Sequence, residues 1–537
     1  MTHAPGPALV LSFAFLALTL SSPLRADDTI AARIDALIAA KIQGPVSPRA
    51  DDGEFLRRVY LDLAGRIPTS DEARAFLADP AADKRAKVVD QLLASPDYAR
   101  RMADAMHVML MERQGDSPEW QKYLRESFGS NKPWDQMVRE MIWSEPDNAS
   151  AQGAAFFFTK RLENYGQNPV DYPGLVRDVG RLMLGMDIQC AQCHDHLFVK
   201  QYTQDYYQGI YAFLGQLYIR KDVKFPALGE NPVKKKVEYT SVFVKEPKAI
   251  GPKLPGVDEL MVPEFKQGEE FTTPPDRKTN FPGVLKFSPI RVLAEQLPRK
   301  ENVAFSRNAA NRLWWLMMGR GIVHPLDLHH DENAPSHPEL LELLAAEFTA
   351  HNFDIKWMLK QIASTEAYQR SSLVPEGVAP DSVPLDSYRT ALEKPLSSEQ
   401  LTSAVLTATG EMSKSGATPE ELEKVRLRFA KSIANPPKEP ETEYSPSVRA
   451  ALFLSNDETI LSWLQPRAGN LVDRLAAISD SDKLAEELYL ATLTRAPSTD
   501  EKAEVAEFLK RHADDRPKAL GRLVWPLLTT TEFTINH

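Results

Sequence analysis

The chain contains very few cysteines, with two among its 537 residues. A framework of several disulfides, which small secreted domains use to compensate for a small core, is therefore excluded. A basic excess is also missing, because 64 Lys and Arg residues stand against 74 Asp and Glu residues and leave a formal net charge of −10. Nucleic acid is not expected as a partner, since phosphate binding needs a concentrated basic surface.

Long apolar runs are absent after the N-terminal segment. Residues 8–20 form one short apolar run, and residues 21–23 interrupt it before the acidic pair Asp27-Asp28. This pattern predicts a secretory signal peptide over residues 1–26. The run is shorter than the roughly 20 residues of a membrane span, but no Lys or Arg precedes it, so an uncleaved N-terminal anchor stays open. In both cases we expect an exported protein, periplasmic or at the cell surface, with no transmembrane span in the mature chain.

The remaining composition, with 43% apolar and 26% charged residues, is that of a globular protein. Apolar residues recur at helical spacing in residues 29–217 and again in residues 299–537. Between them, residues 218–298 are dense in proline, and residues 236–244 have the β-branched and aromatic content of a strand. We therefore predict a mainly α fold, with two helical domains separated by a Pro-rich, partly β insert.

Two segments carry the Ser/Thr-x-x-Glu pattern of a helix start. Thr69 with Glu72 and Ser336 with Glu339 are each expected to form a capping box. The first box lies in a segment, residues 66–72, that is echoed by residues 495–501, and each copy follows a Tyr-Leu pair. The repeat predicts two helix–turn–helix units in which proline ends one helix and a hydroxyl side chain starts the next.

Both cysteines lie in the run Cys190-Ala191-Gln192-Cys193-His194. This C-x-x-C-H spacing is typical of covalent haem attachment. Two thiols three positions apart on a helical turn can form thioethers to the two vinyl groups of one haem, and the adjacent His194 then becomes the proximal iron ligand. The motif predicts haem c as a covalent cofactor. It agrees with the export signal, because this attachment is completed outside the cytoplasm.

Other interpretations of the same residues stay open. The thiols could form a local disulfide or redox pair, bind zinc together with His194 and His196, or be buried without a chemical role. The sequence does not select a sixth iron ligand: Met183 and Met186 are expected to pack in the core. The more distant candidates are His324, His329, His330 and His337.

Asp327, His329, His330 and Asp331 form a polar cluster in the second half of the chain. Together with His196 and His337 it could hold a metal ion or line a pocket. We favour a solvated loop, since no fixed ligand spacing supports a metal site, and we expect His337 to occupy the first turn of a helix.

Several segments of the first half resemble the DUF1549 domain, also called planctomycete cytochrome C 2. These segments are residues 55–69 (FLRRVYLDLAGRIPT), 84–85, 92–98, 190–196 and 202–207. Segments of the second half resemble the DUF1553 domain, also called planctomycete surface domain 1. They are Asn308 and residues 311–314, 319–323, 335–341, 397–401 and 532–537.

The resemblance implies an exported bacterial protein of the Planctomycetes or their relatives, and it implies no particular activity. The chain departs from the family pattern at three places. It has Asp327-Leu328-His329 where relatives usually have Asp-Asp-Phe, Leu197 where they have Pro, and Tyr202 where they have Trp.

From the sequence we therefore expect an exported c-type haem protein with a redox or electron-transfer role, associated with the cell envelope and working with an unidentified redox partner. Cys190 and Cys193 would anchor the haem and His194 would bind its iron. Two alternatives remain: a cell-surface scaffold without haem, and a metal-dependent enzyme that acts on extracellular polysaccharide through residues 327–337. Whether the protein is an enzyme is left undecided.

Overall fold

The structure is a computed structural model that describes residues 29–164, 169–412, 418–441 and 448–537. The predicted signal peptide, residues 1–26, lies outside these ranges. About 52% of the chain is helical and the strands are few and short, which confirms the predicted mainly α fold. Within the described ranges, no helix combines the length and the apolar content that crossing a membrane requires.

The first helical region precedes the insert. It contains α1 Ile30–Ala39, α2 Asp52–Leu63, α3 Ser70–Ala78, α4 Lys84–Ala94, α5 Pro96–Met111, α6 Pro118–Gly129, α7 Trp134–Ile142, α8 Phe156–Arg161, α9 Tyr172–Leu184 and α10 Gln204–Leu214. Short 3-10 turns occur at Ala149–Ala151 and Gln189–Gln192.

The insert is built from three antiparallel hairpins, so its partly β character is confirmed. The strands are β1 Leu217–Ile219 paired with β2 Leu228–Glu230, β3 Val237–Thr240 with β4 Pro247–Ile250, and β5 Phe271–Thr273 with β6 Val284–Leu285. The predicted strand over residues 236–244 is shorter than expected. It ends at Thr240, because the N–H of Val242 leaves the hairpin and donates to the carbonyl of Cys193 at 3.1 Å.

The second helical region follows the insert. It contains α11 Pro289–Gln296, α12 Val303–Met318, α13 Pro338–Ala350, α14 Ile355–Ala363, β7 Lys394–Pro395, α15 Ser398–Thr409, α16 Pro419–Ile433, α17 Val448–Asn456, α18 Glu458–Trp463, α19 Leu471–Ala476, α20 Ser481–Leu493, α21 Thr499–Arg511, α22 Arg516–Leu528, α23 Thr531–Thr534 and β8 Ile535–Asn536. Strand β7 pairs with β8 in antiparallel fashion, and a 3-10 turn lies at Pro380–Ser382.

Two hydrophobic cores organise the described residues. The first contains side chains from both sides of the insert, including Trp120 and Trp314, which are fully buried. The second is formed almost wholly by residues 396–533, to which Leu61 and Ile67 are added. Helix α2 therefore serves both cores, because Phe55 packs in the first and Leu61 in the second.

Two consecutive arginines on α2 bind carbonyl groups near the end of the sequence. Arg57 is fully buried and donates to the carbonyls of Thr492 at 3.1 Å and Phe533 at 2.7 Å. Arg58 donates through Nε to the carbonyl of His537 at 3.1 Å. Since a buried guanidinium must find acceptors for its N–H groups, these bonds fix the C-terminal residues against α2.

The sequence repeat corresponds to a repeated structure. In the first copy Arg66 bonds both oxygens of Glu72, at 2.7 and 2.8 Å, and in the second Arg495 bonds both oxygens of Glu501, at 2.9 and 2.8 Å. Each guanidinium lies 5.2 Å from the ring of the preceding tyrosine. Both copies form a complete capping box, so the predicted repeated helix–turn–helix unit is confirmed, including the box at Thr69.

The capping box predicted at Ser336 and Glu339 is wrong. Helix α13 begins one residue later, with His337 in the N-cap position and no side-chain cap bond. The N–H of Ser336 donates instead to the carbonyl of Ile322 at 2.8 Å, which holds Ser336 in the preceding turn. Pro338 then supplies the first helical residue, a position where its missing N–H costs nothing.

Candidate functional site

The C-x-x-C-H segment forms a tight turn between α9 and α10. Cys190 and Cys193 are both exposed and both free thiols. Helix α10 holds the turn through Gln204 and Gln208, whose side-chain amides donate to the carbonyl of Gln192 at 3.2 and 3.1 Å. The backbone of the turn is thus fixed, and the two thiols are left accessible to a ligand in solvent.

The hydrogen bond of His194 determines which of its ring nitrogens carries the proton. Its Nδ1 lies 2.6 Å from the carbonyl oxygen of Asp195. A carbonyl oxygen only accepts hydrogen bonds, so Nδ1 carries the proton and Nε2 keeps its lone pair. An imidazole in this tautomer is ready to bind a metal through Nε2, with Nδ1–H oriented by the backbone.

A set of exposed apolar side chains, here called the apolar rim, belongs to two segments near Cys193 and His194. One segment follows the motif in the sequence, and the other is the loop after β3, where the N–H of Val242 bonds to the carbonyl of Cys193. Its members are Leu197, Phe198, Val242, Phe243 and Val244, which are between 53% and 77% exposed. The ring of Phe243 lies 4.8 Å from the ring of His194. Large exposed apolar surfaces often mark interaction sites, so these side chains make the surroundings of the motif a candidate binding surface.

His196 has the opposite tautomer. Its Nδ1 accepts the backbone N–H groups of Phe198 at 3.2 Å and Val199 at 2.9 Å, so the ring proton lies on Nε2. Neither nitrogen then has a lone pair available for a metal, and this geometry argues against His196 as a zinc ligand. In the part of the chain that the structure describes, no group of three or more His, Cys, Asp and Glu side chains is placed to hold a metal ion.

Tyr202 contacts three of the predicted polar residues. Its hydroxyl donates to the carbonyl of His329 at 3.0 Å, and its ring meets the rings of His196 at 5.9 Å and His330 at 5.5 Å edge-on. His337 is not part of this group. It is buried beside Tyr388, with ring centroids 5.2 Å apart.

Asp327 lies in an ion-pair network. Its carboxylate accepts from Arg181 at 2.9 Å and from Arg312, and Arg181 also binds Glu112 at 2.6 Å. The Asp327 side chain is only 18% exposed. The prediction of a solvated loop is therefore wrong for Asp327. Arg181 and Arg312 are buried and need carboxylate partners, and Asp327 is held inside the protein as one of them.

A short backbone ladder joins this loop to the C-x-x-C-H turn. The N–H of Asp187 donates to the carbonyl of Asp327 at 2.9 Å, and the N–H of His329 donates to the carbonyl of Gly185 at 2.9 Å. The 3-10 turn that carries Cys190 begins two residues after Asp187. Met183 and Met186 are buried, as predicted for core residues.

His329 is expected to make the stability of the protein pH-dependent. Burial, aided by the charge of Arg312, lowers the pKa of His329 from 6.5 to about 4. Because His329 binds protons more weakly in the folded than in the unfolded protein, the free energy of unfolding falls as the pH falls from 6.5 to 4. The loss is up to about 1.4 kcal/mol per pH unit. The variant His329→Gln should reduce this dependence in denaturant titrations at several pH values, whereas His351→Gln, an exposed control, should not. The prediction would be contradicted if the free energy of unfolding had the same pH dependence in the wild type and in His329→Gln.

A cavity of about 710 Å³ lies between α5, α9, α12 and residues 391–400. Asp327, Arg181 and Arg312 form part of its wall, and Arg101 and Lys394 form another part. Of the candidate residues named from the sequence, His324 and Asp327 line this cavity. The cavity itself was not predicted, because its lining residues come from segments that are far apart in the chain. No local motif signals such a wall.

The fold and this site define a class: a mainly α protein with an accessible C-x-x-C-H turn, bordered by exposed apolar side chains. The model of the PSCyt2 family, described as a protein of unknown function (DUF1549), matches residues 33–218. The model of the PSD1 family, described as a protein of unknown function (DUF1553), matches residues 291–439. The chain thus carries a DUF1549 region followed by a DUF1553 region, the two families that its sequence motifs resemble. Searches of curated proteins and of solved structures found no match.

Proposed function

We propose that this protein is an exported c-type haem protein that transfers electrons to or from a partner outside the cytoplasm. In this proposal Cys190 and Cys193 bond the haem and Nε2 of His194 binds its iron. One observation carries the proposal: the proton of His194 lies on Nδ1, which leaves Nε2 available beside two exposed thiols. A bound haem would supply the one-electron chemistry.

The hydrogen bond from His194 to Asp195 has a further role in this proposal. Donating Nδ1–H to a carbonyl oxygen fixes the plane of the ring and raises the basicity of Nε2. In a haem-loaded protein, a more basic histidine ligand would stabilise the oxidised iron relative to the reduced iron, so this bond would be one means of tuning the reduction potential.

The apolar rim also supports haem as the ligand rather than zinc. A zinc ion would need four polar or anionic ligands and would leave the five apolar side chains of the rim exposed. The porphyrin is a large, flat and mostly apolar group, and covering Leu197, Phe198 and Phe243 would remove them from water. Each Å² of apolar surface that the haem covered would contribute about 25 cal/mol to the free energy of binding.

The proposed location follows from the same chemistry. Covalent attachment of haem c is completed outside the cytoplasm, and the signal-like residues 1–26 would bring the chain there. Periplasm and cell surface both satisfy this requirement, and the redox partner is a protein or small molecule of that compartment.

The test is to produce the full chain, with its N-terminal segment, in a bacterium that carries a haem-maturation system. We expect the purified protein to be red, to gain the mass of one haem that survives denaturation, and to give a pyridine haemochrome spectrum of the c type. The same expression without the maturation system is the control and should give colourless protein. A colourless product under maturation conditions would refute the proposal, and stoichiometric zinc in it would favour the metal-dependent alternative.

A further inference from the structure

One arginine in the wall of the 710 Å³ cavity has unused hydrogen-bond donors. Arg101 is 7% exposed, and its Nε donates to the backbone carbonyl of Asp62 at 3.3 Å. Its two terminal nitrogens have no hydrogen-bond partner among the described residues, and neither is sealed inside the protein. Since Arg101 lines the cavity, these donors face its interior.

The carboxylates nearest to Arg101 are already bound by other cations. Asp62 binds the ammonium group of Lys394 through both carboxylate oxygens, at 2.6 and 2.7 Å. Asp104 is paired with Arg426. Glu399 is held by Arg113, which also binds Glu441 at 2.8 Å. The charge of Arg101 therefore lacks a dedicated counter-ion, although leaving a buried charge uncompensated is costly.

A second guanidinium lines the same cavity without an ion pair. Arg320 is half-buried and makes no hydrogen bond or salt bridge among the described residues. The other two arginines of the wall differ, because Arg181 and Arg312 are both bound to Asp327. Of the four wall arginines, Arg101 and Arg320 are thus the two with donors to spare among the described residues.

The rest of the cavity can accommodate an organic body. Its wall includes the apolar side chains of Val108, Met109, Trp315, Leu316 and Leu392. The volume of about 710 Å³ lies within the range of about 300–1,000 Å³ that small-molecule sites have. An inorganic ion alone would leave this apolar wall unused.

We propose that the cavity binds a small organic oxyanion, with its carboxylate, sulfate or phosphate group against Arg101 and Arg320 and its apolar part against Trp315 and Leu316. An oxyanion offers paired acceptors that match the fork of N–H donors on a guanidinium. It also supplies a directly bound counter-ion, whereas Asp62, Asp104 and Glu399 act on Arg101 only from a distance and none of the described side chains forms an ion pair with it. This site is separate from the thiols, so the proposal does not depend on haem.

The test measures binding of benzoate, phenyl sulfate and phenyl phosphate to the purified full chain by isothermal titration calorimetry. Benzamide, which has nearly the shape of benzoate but no charge, is the matched ligand control. We expect at least one of the three anions to bind about tenfold more tightly than benzamide, as charge-assisted hydrogen bonds would give. The preferred anion then identifies which oxyanion the site selects.

Variants connect that binding to the two guanidiniums. Arg101→Gln and Arg320→Gln should each weaken the preferred anion by about tenfold, and Arg511→Gln, an exposed arginine outside the cavity, should leave it unchanged. If Arg101→Gln does not fold, the half-buried Arg320 still tests the proposal. Equal affinity for all three anions and benzamide, or unchanged anion affinity in Arg320→Gln, would overturn it.

Discussion

Replacing both Cys190 and Cys193 with alanine is expected to eliminate all covalently bound haem from protein made with a haem-maturation system. The sequence contains two cysteines, Cys190 and Cys193, so no other thiol is present to form a thioether with haem. Each single variant keeps at most one thioether, and its pyridine haemochrome band should move toward that of a haem with one free vinyl group. Denaturing mass spectrometry of the three variants measures the loss directly.

The loss should occur without unfolding. Both cysteine side chains are exposed, and substitutions at exposed positions usually change stability by no more than about 0.5 kcal/mol. Gln189→Ala is the matched control, because Gln189 is an exposed residue of the same turn and carries no thiol. Covalent haem in the double variant, or its disappearance in Gln189→Ala, would contradict the assignment of the two thiols.

Replacing Asp62 with alanine is expected to destabilise the protein by about 3–5 kcal/mol. Asp62 is 1% exposed and accepts four hydrogen bonds: two from Lys394, one from Tyr368 at 2.8 Å and one from Asn536 at 2.8 Å. Lys394 lies on β7, Tyr368 in the turn after α14 and Asn536 on β8, so a single carboxylate ties α2 to distant parts of the chain. Without it, Lys394 keeps its charge in a buried position with no counter-ion.

The size of the effect is measured as the shift of the urea midpoint, with Asp71→Ala as the control, since the Asp71 side chain is 95% exposed. A second variant separates lost charge pairing from lost packing. Adding Lys394→Met to Asp62→Ala should recover part of the stability, because no uncompensated charge then remains. If the double variant is no more stable than Asp62→Ala, the loss is due to packing and the electrostatic explanation is wrong.

The sequence predicted those parts of the fold that short segments determine. The box at Thr69 and its repeat at Ser498 formed as expected, because cap, proline and acidic partner lie within a few residues of one another. The box at Ser336 did not form, because the N–H of Ser336 donates to the carbonyl of Ile322. Ile322 lies too far away in the sequence to be considered by a rule that compares near neighbours. Local rules hold until a tertiary bond competes for the same donor.

The candidate site likewise has features that the local sequence predicts and features that depend on the folded structure. The spacing of Cys190, Cys193 and His194 is visible in the sequence, whereas the tautomer of His194 follows from one backbone carbonyl that only the folded turn positions. The unpaired donors of Arg101 were not predictable, because they depend on Lys394 and Arg113 taking the nearby carboxylates. Counting charges along a sequence does not show which of them remain without a counter-ion.

The bonds from Arg57 and Arg58 to the carbonyls of Phe533 and His537 constrain the order in which this protein can mature. While the ribosome is still making the chain, α2 has been synthesised hundreds of residues before its acceptors exist. The region around α2 therefore cannot reach its final packing until the residues up to His537 have been synthesised. A fragment that stops at residue 218 would leave Arg57 without its carbonyl partners, and Arg58 would keep only its bond to Glu54. Experiments on the C-x-x-C-H turn are thus best done on the whole chain.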